Sequence, residues 1–148
     1  MTPEEARRRF VAARVARLAT TGPDGRPHVV PLVFAVDGDT LASAVDHKPK
    51  RTQRLRRLDN IAADPRVAVL VDDYDEDWGR LWWARADGSA RVVAPGSAEG
   101  RRLVDLLVAR YAPYRERRPE GPTLVVEVER WSGWSASEGS RGATLRNV

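Results

Sequence analysis

The sequence predicts a mainly β fold with inserted helices, built as an antiparallel barrel or sandwich. Three observations predict it. Apolar runs of strand length recur along the 148 residues, set apart by turn signals at Gly22-Pro23-Asp24-Gly25, Asp37-Gly38-Asp39 and Asp87-Gly88. Helical spacing is confined to three stretches, and strand–helix–strand crossovers are too few for a doubly wound sheet. The length suits one domain, which buries roughly 68–70% of the surface its unfolded chain exposes.

The elements follow in order. Thr2-Pro3-Glu4-Glu5 reads as a capped helix start, running to about Ala13. Val15 to Thr21 alternates as a strand. Pro27 to Val36 reads as a second strand, almost wholly apolar and so expected to be buried on both faces. Pro31 inside it removes a ladder donor, which suggests an edge, a bulge or a non-strand neighbour. Thr40 to Val45 completes a hairpin. Leu55, Leu58, Ile61 and Ala62 give the next segment a core-facing helical stripe, stopped by Asp64-Pro65. Arg66 to Val71 is a strand. An acidic loop from Asp72 to Asp77 leads into a hairpin of Trp78–Ala86 and Ser89–Ala94 around Asp87-Gly88. A third helix carries Leu103, Leu106, Leu107, Arg110 and Tyr111 on one side. Pro113 to Pro122 reads as a charged linker, and Leu124 to Trp131 as the last strand. The tail from Ser137 is Gly- and Ser-rich and is expected to be loose. The strands number six or seven.

Composition removes several kinds of function. There is no Cys, hence no disulfide scaffold, thiolate metal site or cysteine nucleophile. No apolar run approaches the roughly 20 residues that span a bilayer. The N-terminal residues lack an apolar signal core, so the cytoplasm is the default location. Gly-x-Gly-x-x-Gly after a strand, Walker Gly-Lys-Ser/Thr and Gly-x-Ser-x-Gly motifs are all missing. The two histidines, His28 and His47, read as structural or solvent-facing. Asp73, Asp75, Asp77 and Gly79 resemble a calcium loop superficially, but the glycine is one position late and the twelfth residue is Ala84. These acids are expected in solvent or paired with arginines across a subunit contact.

The chemistry-bearing segment is residues 46–58. Lys48, Lys50, Arg51, Arg54, Arg56 and Arg57 fall within ten residues that include no acid. Cations at a helix start oppose its macrodipole, so folding alone would put Asp or Glu there. Clustered cations beside free backbone N–H groups suit a phosphorylated ligand. Arg54, Arg56 and Arg57 fall on the helix and read as partly solvated. Lys48, Lys50 and Arg51 precede its apolar stripe and are the better phosphate candidates, with Thr52 as hydroxyl donor or cap. The adjacent Trp82 and Trp83 must point to opposite faces of a strand, one to a core and one to solvent, a partner subunit or a flat ligand. Basic residues with aromatics also admit single-stranded nucleic acid, but no Phe, Tyr or Trp is interleaved among the cations of residues 46–58.

The order of these motifs carries a resemblance. A strand, the Gly-Pro-Asp-Gly turn, Arg26-Pro27-His28-Val29-Val30-Pro31-Leu32-Val33-Phe34, a hairpin, the basic junction and Asp64-Pro65-Arg66-Val67 succeed one another. In this the chain resembles the pyridoxamine-phosphate-oxidase-like, flavin-binding split β-barrel superfamily. Asp77-Trp78, Leu81-Trp82-Trp83-Ala84-Arg85-Ala86-Asp87-Gly88 and Trp131-Ser132-Gly133-Trp134-Ser135-Ala136 resemble its actinobacterial branch of oxidoreductases that use the deazaflavin coenzyme F420. The resemblance implies a six-stranded split barrel over residues 1–136, a homodimer, and two cofactor sites at the subunit interface. It implies that Val30, Pro31, Leu32 and Val33 run beside the cofactor ring. Ser43 with Lys48, Lys50, Arg51 and Thr52 would hold the phosphate, and Trp131 would approach the ring from the other subunit. FMN oxidases of the superfamily usually carry arginine where Val30 stands, which weakens FMN as the cofactor.

The expected function is hydride transfer between F420 and a small organic substrate, with no nucleic acid or membrane partner and no metal. The alternatives are an FMN-dependent oxidase or reductase on the same fold, a non-catalytic deazaflavin carrier and, more remotely, a nucleic-acid-binding module. The protein's part in such chemistry is orientation, an anchor and a dry pocket. No catalytic side chain is singled out.

Overall fold

The structure, a computed structural model, describes residues 1–45 and 51–138, and the backbone alone for residues 51–55 and 138. Its framework is a seven-stranded antiparallel sheet. In chain order the strands are β1 (Ala16–Thr21), β2 (Pro27–Leu32), β3 (Ala35–Asp37), β4 (Thr40–Ala44), β5 (Arg66–Asp73), β6 (Trp82–Val93) and β7 (Thr123–Ser135). They lie in the order β2-β1-β5-β6-β7-β4-β3. The two outermost strands, β2 and β3, are joined by Val33 and Phe34 alone. Three peptide steps span at most about 11 Å, so the sheet curls until its edges nearly meet. They do not hydrogen-bond to each other, and the barrel stays split.

The resemblance implied six strands and the structure has seven: the apolar run 27–36 breaks at Val33-Phe34 into β2 and β3, while the expected hairpin of residues 78–94 is the single strand β6. The run is also not buried on both faces. β2 alternates, with Val29 61% exposed and Leu32 buried, because an edge strand on a one-layer wall has an outward face. Pro31 is accommodated at that edge, where a missing N–H costs no second ladder.

Four helices surround the sheet. Helix α1 (Pro3–Ala12) starts at Thr2, whose Oγ1 accepts from the Glu5 N–H at 3.2 Å. It lays Ala6 and Phe10, both fully buried, across β6 and β7. Helix α2 (Arg51–Ala63) follows the basic junction and carries no acid in its first turn. Its inner side is Ile61 with Asn60, whose Nδ2 donates to Thr20 Oγ1 at 3.0 Å, while Ala62 is exposed rather than part of the stripe. Helix α3 (Ala98–Arg110) packs Leu103 and Leu107 against β3, β4 and β7. The short α4 (Ala112–Glu116) occupies part of what reads in sequence as a linker.

A further correction concerns Asp87-Gly88. It is not a turn. Strand β6 runs straight through it, pairing with β5 on one side and β7 on the other, with a bulge at Asp87/Gly88. A Cβ on Gly88 would lie 2.1 Å from the Glu127 carbonyl oxygen, so the glycine permits close backbone approach.

Candidate cofactor site

Of the sequence-predicted site residues, Ser43 and Val33 meet at the split. Ser43, 3% exposed on β4, donates its hydroxyl to the Val33 carbonyl at 2.8 Å. That bond ties β4 to the β2–β3 connection, and Ser43 lies three residues before the 46–50 segment in the sequence. On the other side of the connection, the Tyr111 hydroxyl accepts from the Phe34 N–H at 3.0 Å. The same oxygen lies 2.8 Å from the Phe34 carbonyl and 3.0 Å from that of Arg14, with one hydrogen to give. Two side-chain hydroxyls thus replace the missing ladder between β2 and β3 and fix the backbone of Val33 and Phe34.

The register separates the β2 candidates. Val30 opposes Leu18 and Leu32 opposes Ala16, so both side chains face the core and offer a ligand only their backbone. Pro31 opposes Arg17 and points to the outer face. Val33 packs beside Ala35, Ala44 and Leu107. Lys48 and Lys50 lie outside the described residues; Arg51 and Thr52 open α2, the element that follows β4 in the chain. Trp131 sits on β7 opposite Ala86, facing inward. Its ring meets Phe10 edge-on at 5.2 Å, and Nε1 donates to Asp39 Oδ1 at 2.9 Å. Within this chain it is therefore bound to α1 and the β3–β4 turn, with part of its surface open.

The outer face of the sheet holds a groove of about 400 Å³. Its floor is the register pair Ala19 and Ala68, between Val29 on β2 and Leu70 on β5. Trp83 on β6 forms a wall, with Arg17, Asp72 and Arg85 at the rim. Trp82 points the other way and packs on the core, beneath the Arg9 guanidinium at 5.5 Å. Alternation along the strand separates these two tryptophans but does not reveal the alanine shelf. Only the strand register brings Ala19 and Ala68 side by side.

Charges around the sheet are mostly spent locally. Arg17 pairs with Asp72 at 3.1 Å and Arg85 with Asp87 at 3.0 Å. In the acidic loop Asp77 caps a 3₁₀ turn at Trp78–Arg80, and Asp75 pairs with Arg80 at 3.3 Å. Among the described residues no three His, Cys, Asp or Glu are grouped to hold a metal ion. His28 lies opposite Thr20, its Nδ1 buried without a hydrogen-bond partner. No helix among the described residues is long and apolar enough to cross a membrane.

Comparison with known proteins places this geometry. The family model for pyridoxamine 5'-phosphate oxidase matches residues 2–135, and the chain belongs to that family. More particularly, it is 39% identical over 57 residues to a 5a,11a-dehydrotetracycline/5a,11a-dehydrooxytetracycline reductase of Streptomyces rimosus. That match spans 38% of this chain and 39% of the reductase. Among solved structures, a conserved hypothetical protein of Mycobacterium tuberculosis superposes with a TM-score of 0.74 at 22% identity, covering 100% of this chain and 93% of that one. An FAD-binding protein of Mesorhizobium loti gives 0.70 at 22% identity, over 90% and 94%. A heme storage protein of Vibrio cholerae gives 0.69 at 16% identity, over 91% and 95%. At these identities the likeness is one of fold.

Proposed function

We propose that this protein is an oxidoreductase that binds a flavin-type cofactor, specifically the deazaflavin F420, and passes a hydride between it and a small organic molecule. One observation carries the reading: β2 is an edge strand with an unpaired side, and it ends at a seam fixed by Tyr111 and by Ser43, which precedes the basic segment in the sequence by a few residues. A flat heterocycle needs a rigid backbone edge for its ring and a cationic helix start for its phosphate; β2 offers the edge, and the sequence puts the cations ahead of and within the first turns of α2. The donor set fits. The junction of residues 47–57 has six cations and no acid to repel a phosphate. The family match and the reductase relative support the same class of chemistry.

In this reading the backbone of Val30 to Val33, with Pro31, lines the ring. Ser43 spends its hydroxyl hydrogen on Val33 and so sets the strand's position, leaving Lys48, Lys50, Arg51 and Thr52 to grip the phosphate. The chain acts as a homodimer, and the open edge of Trp131 is assigned to the ring held by a second copy. When bound, the reduced deazaflavin supplies a hydride from C5, and solvent supplies the proton that completes reduction of the acceptor. FMN on the same strand is the second reading; it is disfavoured because Val30 contributes no cation.

Titrating the purified protein with F420 and with FMN, followed by fluorescence, tests the proposal. Saturable F420 binding, at least about tenfold tighter than FMN, is expected. Binding of neither would overturn it, and preference for FMN would transfer the assignment to the second reading.

A further inference from the structure

We propose that Arg14 and Arg110 form an anion site of their own, apart from the basic 46–58 segment, which takes a small carboxylate or phosphoryl group where α1, β1 and α3 meet.

Arg110 is a cation in an apolar place. It shares one side of α3 with the buried Leu103 and Leu107, where folding alone would favour another aliphatic residue. Its guanidinium lies over the Phe34 ring at 4.8 Å and the Tyr111 ring at 5.5 Å. Arg14, in the link between α1 and β1, lies over the same Tyr111 ring at 4.7 Å. The two side chains are tied across. Arg14 Nη2 donates to the Arg110 carbonyl at 3.0 Å, and Arg110 Nη2 donates to the Ala13 carbonyl. Two like charges are thereby held against one ring.

No acid answers them. Arg9, Arg17, Arg66, Arg102 and Arg118 each pair with a carboxylate, whereas among the described residues none pairs with Arg14 or Arg110. Burial pulls the Arg110 guanidinium below its ordinary value; Tyr111 opposes the fall and the charge of Arg14 deepens it. Helix ends compensate in part. The C-termini of α1 at Ala12 and α3 at Arg110 each carry about half a negative charge. Set against two full cations, they leave roughly one positive charge unmatched.

Donor capacity is left over too. A guanidinium presents five N–H groups in one plane, and a backbone carbonyl takes a single nitrogen of each. Arg14 is exposed, and no nitrogen of Arg110 is buried without a partner, so the remaining N–H groups face solvent. Planar donors in a fork match the paired oxygens of a carboxylate or a phosphoryl group. An anion seated there fastens both arginines over Tyr111, whose hydroxyl accepts from the Phe34 N–H, and so steadies the β2–β3 connection.

The test titrates the intact, ¹⁵N-labelled protein with sodium phosphate and with sodium succinate, against sodium chloride at equal ionic strength. The Phe34 amide and the side-chain Nε–H signals of Arg14 and Arg110 are followed by NMR. Expected are saturable shifts with a Kd on the order of 1 mM, and none with chloride. Saturation by phosphate alone assigns a phosphoryl ligand, and by succinate alone a carboxylate. Arg14→Gln should weaken binding about tenfold and Arg14→Lys, which keeps the charge but loses the fork, about threefold. Arg8→Gln, exposed on α1, should leave it unchanged. No saturation by either anion, equal shifts with chloride, or full affinity in Arg14→Gln would overturn the proposal. Should Arg14→Gln fail to fold, full affinity in Arg14→Lys would overturn it instead. So would loss of the shifts in Lys50→Ala with Arg51→Ala, which would give the anion to the basic segment.

Discussion

Replacing Tyr111 by Phe removes one oxygen atom from the seam between β2 and β3 and leaves the ring in place. The Phe34 N–H is buried and loses its acceptor at 3.0 Å. An unsatisfied buried donor costs about 1–3 kcal/mol, and the hydrogen bond the hydroxyl gives to the Phe34 or Arg14 carbonyl adds about 0.5–1.5 kcal/mol. Packing of Arg14 and Arg110 over the rings of Tyr111 and Phe34 is kept. The expected loss is therefore about 2–4 kcal/mol, which lowers Tm by roughly 5–10 °C in a chain of this length. Urea unfolding followed by tryptophan fluorescence measures it, with an unchanged slope showing that the unfolded state is the same. A loss under about 0.5 kcal/mol would refute the claim that this hydroxyl substitutes for a strand partner.

Other expected outcomes follow from the same geometry. Lys50→Ala combined with Arg51→Ala weakens F420 binding by about 2–5 kcal/mol through lost charge-assisted hydrogen bonds, while Arg56→Ala, exposed on α2, leaves it unchanged in the same titration. Gly88→Ala drives a methyl group into the Glu127 carbonyl and costs about 2–4 kcal/mol or prevents folding, read by the same urea titration. Asp64 is held down to about 2, first by the hydrogen bond from the Arg66 side chain and then by the Arg66 backbone N–H. A lowered carboxylate contributes stability above its unfolded value of 3.8 that is lost as pH falls through about 2. The Tm difference between wild type and Asp64→Asn should therefore be present at neutral pH and close across that window.

Local rules were the legible part of the fold. Thr2-Pro3 starts α1, Asp64-Pro65 ends α2, and the loops with Gly25 (φ 79°) and Gly38 (φ 63°) turn where glycine signals said they would. The misreadings have one cause, a partner distant in sequence. Asp87-Gly88 has turn composition, but β5 and β7 clasp it from both sides and override the local preference. The run 27–36 reads as one buried strand because nothing local reveals that the sheet's two edges are its two halves. At the candidate site Ser43 stands out in the sequence and does fix the β2–β3 connection, whereas Tyr111 lies 77 residues from Phe34 and looks like ordinary helix-face packing. The alanine shelf was equally hidden, since alanine carries no chemistry until register pairs it.

A crystal structure of the protein with F420 bound tests the central claim most directly. The expected result is a phosphate held by Lys50 and Arg51 at the start of α2, with the ring lying along the backbone of Val30 to Val33. A phosphate bound elsewhere, with Lys48 and Lys50 in open solvent, would contradict it.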